Sequence, residues 1–372
     1  MLDRIKVLSQ LQQLGDSLFQ DMSTEYAIAR ESFMRICSDP DFQEKIKQIN
    51  CPWILPSWQG PLDALFKINP EIGNYTVLGV DGSQVYPDRH QGTGCFLINI
   101  GSVLIEYGTQ SHVQLQSIPY IFAHDHDIDA ATPDIINCKR QELEFQIGLE
   151  RAREYTALRT HEKLFFLFDG SLIFWHLESK DAALKEKYIA TYVAALHELY
   201  KSEIPCAGYI SLPKSKELVN LLRVELCGFK IEGCTKHTAV DTIVDSTIAR
   251  FFLTYGTRTT FFKSNAAISQ FYPEHLKPYF LYMDIGQEIV RIEFPAWMAQ
   301  NAQIMERMCA IILNQSIKGG GYPVAIAEAH EQAVVKGPDR DFFYHALTKM
   351  AIDQRQHINL SQKSMKKRGL GV

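Results

Sequence analysis

Nothing in this 372-residue sequence reaches the run of about 18 apolar residues that a membrane-spanning helix requires. Residues 1–20 are periodic rather than continuously apolar and offer no small-residue cleavage site, so a cytoplasmic protein is expected. Positive charge is not in excess: 38 Lys and Arg face 43 Asp and Glu, a net charge of -5. That balance argues against coating nucleic acid by bulk charge, although it leaves room for a local basic cleft. None of the 8 cysteines forms Cys-x-x-Cys. Neither a disulfide framework nor a zinc site is therefore expected, and buried free thiols fit the apolar segments around them. What the chain has is core: 46% hydrophobic and 11% aromatic residues with 22% charged. Those fractions exclude disordered, collagen-like and coiled-coil chains.

Residues 1–50 read as helix, since Leu2, Ile5, Leu8, Leu11 and Leu14 recur every three positions and Leu18 and Phe19 extend the stripe. The stripe suits packing on its own domain or against a partner subunit. Pro52, Pro56 and Pro61 then break the chain into an irregular connector whose Trp53 and Trp58 are expected to be exposed or docking. YTVLGVDGS reads as a strand that stops at a turn at Asp81-Gly82. CFLINIGSVLIEYG and SHVQLQSIPYIF are two more strands, and TPDIINCKRQELEFQIGLERAREYTAL is a long helix. KLFFLFDGSL is continuously apolar, as a strand buried on both faces requires. A helix over about 181–201, a strand (CAGYISL) and a helix (SKELVNLLRVEL) follow.

Three strands on short breaks predict an antiparallel meander, and the helical crossover lets the fourth lie parallel to the first. The expected fold is α/β: a ribonuclease H-like mixed sheet with flanking helices and an N-terminal helical extension. Further on, PYFLYMDIG and QEIVRIEFP predict a hairpin turning at Gly286. Helices are expected over about 296–315 and in PVAIAEAHEQAVV, before a loose basic tail. The expected divisions are 1–60 for the helical extension and connector, 70–340 for the main domain, and 341–372 for a last helix and tail.

Asp81-Gly82-Ser83 and Asp169-Gly170-Ser171 each close an apolar strand. On parallel neighbours about 4.8 Å apart, both carboxylates would reach one end of the sheet, where open α/β sheets bind ligands. Such a pair repels itself unless a cation intervenes, and hard divalent ions take carboxylate oxygens. Two such ions can activate a water and steady the leaving oxygen in phosphodiester cleavage. Asp-Gly is also good turn chemistry, which one copy alone would signify.

The segments LGVDGSQVYPDRH and FLFDGSL resemble the two signature strands of NurA-type nucleases. The resemblance continues through GYISLPKSKELVNLLR, VDSTIARFFLTYGTRTTFF, VRIEFP and YPVAIAEAHEQA, over roughly residues 75–335. It implies a manganese-dependent DNA nuclease, with Mg²⁺ as the other candidate ion and two ions in the site. It also implies single-strand endonuclease and 5′-to-3′ exonuclease action in DNA end processing and repair, a homodimer, and a hexameric HerA-type ATPase as partner. By the same resemblance Asp81 and Asp169 match metal-binding aspartates. The family's helical acidic residue falls on Glu142 or Glu144, with Glu144 favoured because it follows the Leu. His330 matches a histidine that would serve as a metal ligand or proton shuttle.

Four further residues carry two readings each. Asp245 suits an N-cap as well as the site, and Glu293 suits the cleft or a pair with Arg291 on its own strand face. Lys214 could meet a phosphate or be a solvated turn lysine, and Tyr209 could stack on a base or be core. His124, Asp125, His126 and Asp127 read as an acidic surface loop, because adjacent residues on an extended loop point apart. Gly319-Gly320-Gly321 lacks the Lys-Ser/Thr of a phosphate loop and reads as a hinge or close-approach turn. The rival class is a non-catalytic ribonuclease H-like scaffold docking on an ATPase or nucleic acid. RNA or small phosphoesters are the other substrates the chemistry admits.

Overall fold

β-Branched and aromatic runs build the centre of the molecule. A computed structural model describes residues 2–15, 21–88, 94–109, 111–123, 132–158 and 164–354; the His124–Asp127 stretch and the basic tail lie outside them. Before the first long strand come helices α1 (Arg4–Leu14), α2 (Ser23–Ser38) and α3 (Phe42–Lys47), with short strands β1 (Ser57–Trp58) and β2 (Leu65–Lys67). Strands β3 (Tyr75–Val85), β4 (Phe96–Tyr107) and β5 (His112–Phe122) form the expected antiparallel meander. Helix α4 (Pro133–Leu158) crosses over to β6 (Leu164–Asp169), which lies parallel to β3. Helix α5 (Ala182–Lys201) leads to β7 (Cys206–Ile210), parallel to β6.

Then come α6 (Glu217–Leu226), α7 (Asp245–Ala249), β8 (Thr257–Thr259) and β9 (Phe262–Lys263). Strands β10 (Pro278–Asp284) and β11 (Ile289–Pro295) make the hairpin, with Gly286 at φ 99° in its turn. Helices α8 (Ala296–Ala299), α9 (Ala302–Lys318), α10 (Val324–Ala333) and α11 (Gly337–Asp353) complete the described chain. All these strands join one sheet, whose central order is β10-β11-β7-β6-β3-β4-β5. The fold class is the α/β, ribonuclease H-like mixed sheet that the element order predicts.

Alternation sends the strand side chains to two cores. Leu78, Val80, Phe166 and Phe168 pack on α4 and α5, whereas Val77, Phe165, Leu167 and Ala207 pack on α9 and α10. Both faces of β6 are therefore covered, which is why its sequence is an unbroken apolar run. Each such fully buried side chain contributes about 1.5–3 kcal/mol. A third cluster joins α2, α3, α6 and α7 to β9 and β10 through Phe33, Phe42, Leu222, Ile248, Phe262 and Phe280.

Three local expectations change. The connector is not irregular throughout: β1 pairs with β9, Trp58 is buried, and Trp53 meets His237 and Arg223 rather than solvent alone. Strand β3 does not stop at Asp81-Gly82 but runs to Val85, fully paired with β4. Cys227 and Cys234 form a disulfide, their Cα atoms 5.9 Å apart, instead of staying free. Gly228, Phe229 and Gly233 in left-handed conformations fold the chain back between them.

Candidate active site

The register places the two aspartates. Val80 pairs with Phe168 across the parallel β3–β6 ladder, so Asp81 and Asp169 are the next residues along each strand and share a face. That face carries α10. Opposite Asp81 on β4 stands Gly101, where a Cβ would lie 2.2 Å from the carbonyl oxygen of Ala329. Only glycine lets α10 settle this close, and the contact brings its His330 over Asp81, with Nδ1 2.7 Å from Oδ2. Ser83 and Asn99 fasten the same helix end by donating to the carbonyl of Ala333. Asp81 is 13% exposed, and it also accepts from its neighbour's Gly82 N–H.

Helix α4 reaches the strand end from the other face. A Cβ on Gly82 would meet Glu144 Oε1 at 2.6 Å and Arg140 Cγ at 2.8 Å. Gly82 thus serves a close helix approach inside a strand, and this is why the Asp-Gly pair does not turn here. Arg140 donates to the Gly82 carbonyl at 2.8 Å, and its Nε stands 3.4 Å from Glu144 Oε1. Glu142 points elsewhere and pairs with Lys139 at 3.0 Å, as residues two apart on a helix must diverge. Asp169 accepts from the Tyr322 hydroxyl at 3.0 Å. Tyr322 follows the triglycine segment, a close-approach turn in which Gly320 and Gly321 have positive φ.

Electrostatics mark the cluster. Burial strips water from the Glu144 carboxyl, and Asp81 and Asp169 add repulsion against the pull of Arg140, so its pKa rises from 4.5 to about 7. Asp169 keeps solvent contact, yet the surrounding protein mass and then Asp81 raise its carboxyl above the ordinary value. Among the described residues no three His, Cys, Asp or Glu side chains already converge as a ligand set. Each carboxylate is held by a protein group: Asp81 by His330, Asp169 by Tyr322, Glu144 by Arg140. A divalent ion nonetheless fits the donors present. Glu144 Oε1 is buried without a hydrogen-bond partner, and a cation would relieve the repulsion that lifts its pKa.

Asp81, Glu144, Asp169 and His330 therefore come together, while the other four sequence candidates do not join them. Tyr209 is fully buried against Tyr322 and cannot stack on a base. Asp245 is a cap, though of α6: it accepts from the Leu218 and Val219 N–H groups and from Tyr282, at 0% exposure. Glu293, 1% exposed, pairs with Arg291 at 2.7 Å and does not face solvent. Lys214 is exposed beyond the end of β7. Two residues of the site escape the sequence reading. Arg140 had a usable signal in its i,i+4 spacing to Glu144. Tyr322 had none, lying 153 residues from Asp169.

Carboxylates gathered where β6 ends beside the parallel strand β3 in a mixed sheet define a protein of the ribonuclease H-like class with a candidate metal site. The sequence matches the NurA domain over residues 75–335, and the chain belongs to that family. It is similar to the NurA nuclease from Sulfolobus solfataricus at 12% identity, over 95% of this chain and 98% of that one, with a TM-score of 0.53. At that identity the likeness is one of fold. NurA solved with manganese is similar at 12% identity over 88% of this chain and 96% of that one, TM-score 0.41. NurA bound to dAMP and manganese gives 12% over 94% and 98%, TM-score 0.37. No curated protein matches the chain.

Proposed function

We propose that the chain is a metal-dependent DNA nuclease. The observation that carries this is the gathering of Asp81, Glu144 and Asp169 at one strand end against their own repulsion, with His330 seated on Asp81. Asp81, Asp169 and His330 would hold Mn²⁺ or Mg²⁺, as a pair of ions, beside Glu144. When bound, such ions lower the pKa of an attacking water and neutralise charge at the phosphate. Glu144, set on the opposite face beside both aspartates, is placed to take a proton from water at this edge. His330 is 58% exposed, and its ring nitrogen not facing Asp81 serves either as the ion's ligand or, in place of that, as the group that passes a proton to a leaving oxygen. Arg140 supplies positive charge at the same edge for the phosphate. Family membership supports the reading, since the Sulfolobus relative is a nuclease.

The finer reading adds single-strand endonuclease and 5′-to-3′ exonuclease action, a role in DNA end processing and repair, a homodimer and a hexameric HerA-type ATPase partner. For the assembly part of that reading, the support within the chain is α1, which buries nothing. Leu2, Ile5, Leu8, Leu11 and Leu14 stay 45–80% exposed, an apolar stripe suited to a second subunit or a partner. Light scattering should report a dimer that dissociates when residues 1–20 are deleted; a full-length monomer at micromolar concentration would count against the homodimer. No helix of the described residues is long and apolar enough to cross a membrane. The activity itself is tested with labelled single- and double-stranded DNA and RNA, with and without Mn²⁺ or Mg²⁺, beside Asp81→Asn. Cleavage of DNA that needs the ion and is lost in the variant is expected. Equal cleavage by the variant, or none by the wild type, refutes the reading.

A further inference from the structure

The ends of β6 and β7 carry a second feature that the carboxylates do not use. A cavity of about 370 Å³ opens beside Ser171, two residues beyond Asp169. Ile210, Arg291 and Glu293 line it, and these alternate with the α9-facing Tyr209, Val290 and Ile292. The cavity therefore lies on the face opposite α9 and α10, the face from which Glu144 enters. Trp175, Ile54, Ile210 and Pro213 form its apolar walls, Ser171, Ser215 and Asn220 add polar groups, and among the described residues Lys214 and Lys216 are the cations outside the floor. A larger cavity of about 760 Å³, around Phe165 and Arg307, lies at the other end of β6 and is remote from the site.

The floor is unusual. Arg291 is 2% exposed, with Nε on Glu293 at 2.7 Å and Nη1 on Glu217 at 2.6 Å. Its third nitrogen, Nη2, is buried with no hydrogen-bond partner. An unmade bond on a buried donor costs about 1–3 kcal/mol, more on a charged one. Here that unpaired donor belongs to a residue lining the hollow.

We propose that this cavity receives one unpaired nucleobase of the DNA strand at the site, its face on Trp175 and an acceptor edge directed at Arg291; this rests on the nuclease reading above. Trp175 and the apolar side chains beside it suit a base, which offers a π-face and ring acceptors at once. The volume, about 370 Å³, sits at the low end of the roughly 300–1,000 Å³ of ligand sites. Ser171 is two residues from Asp169, less than about 7 Å of chain, so the cavity opens next to the strand end that carries Asp169. Exposed Lys214 at the rim is the cation placed to meet a flanking phosphate, since the Lys216 ammonium donates to the Asp241 carbonyl.

The test compares full-length wild type, Trp175→Ala and Trp175→Phe by fluorescence anisotropy in chelator, with two single strands of equal length. One strand carries bases, and the other is abasic throughout. Losing one stacked base should weaken Trp175→Ala binding to the base-bearing strand about tenfold. The abasic strand should bind all three proteins alike, and Trp175→Phe should restore the base-bearing affinity. Equal loss on both strands, no loss on either, or no binding of DNA by the wild type overturns the proposal. Cleavage assayed separately keeps the two readings apart. A chain that shows the base-dependent loss yet never cuts DNA retains the cavity's role and loses the nuclease, and a nuclease without that loss does the reverse.

Discussion

Replacing Glu144 by Gln should raise the stability of the metal-free protein while destroying its activity. In the folded chain the carboxyl titrates near 7 rather than 4.5, with burial as the largest cause and Asp81 and Asp169 adding to it. The folded state thus holds this proton more tightly than the unfolded state does. Stability is full below about pH 4.5, falls as pH rises toward 7, and then levels off. The accumulated loss is about 3 kcal/mol. Gln resembles the protonated side chain and removes that loss at every pH. The attraction of Arg140 is already contained in the net rise, so losing it does not reverse the sign. For a chain this long, about 3 kcal/mol corresponds to about 4 °C in melting temperature.

Calorimetry in chelator at pH 5 and pH 8 reads the effect. The variant should melt within about 1 °C of wild type at pH 5 and about 4 °C higher at pH 8. Adding Mn²⁺ should narrow the gap by neutralising the wild-type carboxylates. Hydrolysis by the variant should fall at least about 100-fold, the range of a lost general base. A variant that melts lower at pH 8 than wild type would refute the idea that Glu144 is held against repulsion.

Asp81→Asn and Asp169→Asn should each abolish ion-dependent cleavage while circular dichroism stays native; wild-type rates in either would remove that residue from the site. Glu142→Gln should leave cleavage nearly unchanged, because its partner is surface Lys139, and a loss comparable to that of Glu144→Gln would mean the helix presents the wrong face. Gly101→Ala drives a methyl to 2.2 Å from the Ala329 carbonyl oxygen. It should cost about 1–3 kcal/mol by denaturant titration and lower activity more than stability, since α10 must lift His330 off Asp81; unchanged activity would show that their contact is dispensable.

The parts of this fold that were legible are those whose cause is local. KLFFLFD is an unbroken apolar run because β6 is covered twice, and the short breaks around CFLINIGSVLIEYG leave its neighbours no option but hairpins. Asp81 and Asp169 could be matched because each ends an apolar stretch of one parallel pair. What failed was chemistry whose reason lies across the sheet. Gly82 looks like a turn residue until α4 is in place. Tyr322 gains its meaning only from Asp169, and Asp245 caps a helix 27 residues before it rather than its own. Cys227 and Cys234 pair through left-handed bends that their spacing does not announce.

A cluster of like charges holds together only if the backbone around it is stiff, and each arm of this site is stiffened by a different device. Helix α10 is seated through Gly101 and pinned by Ser83 and Asn99. Helix α4 is seated through Gly82 and tied by Arg140. The turn after Asp169 is held from below: Glu293 Oε2 accepts from Ser171 Oγ, Leu172 N–H and Ile173 N–H at 2.6–3.0 Å. Such a carboxylate, 1% exposed, would be untenable without Arg291 on its other oxygen. A buried ion pair is weak evidence for stability, since apolar residues of equal volume often serve as well. Three donors converging on one oxygen, however, fix a backbone that apolar packing would leave free to slide. The buried charges of β11 are therefore better explained by where they hold Asp169 than by what they add to stability.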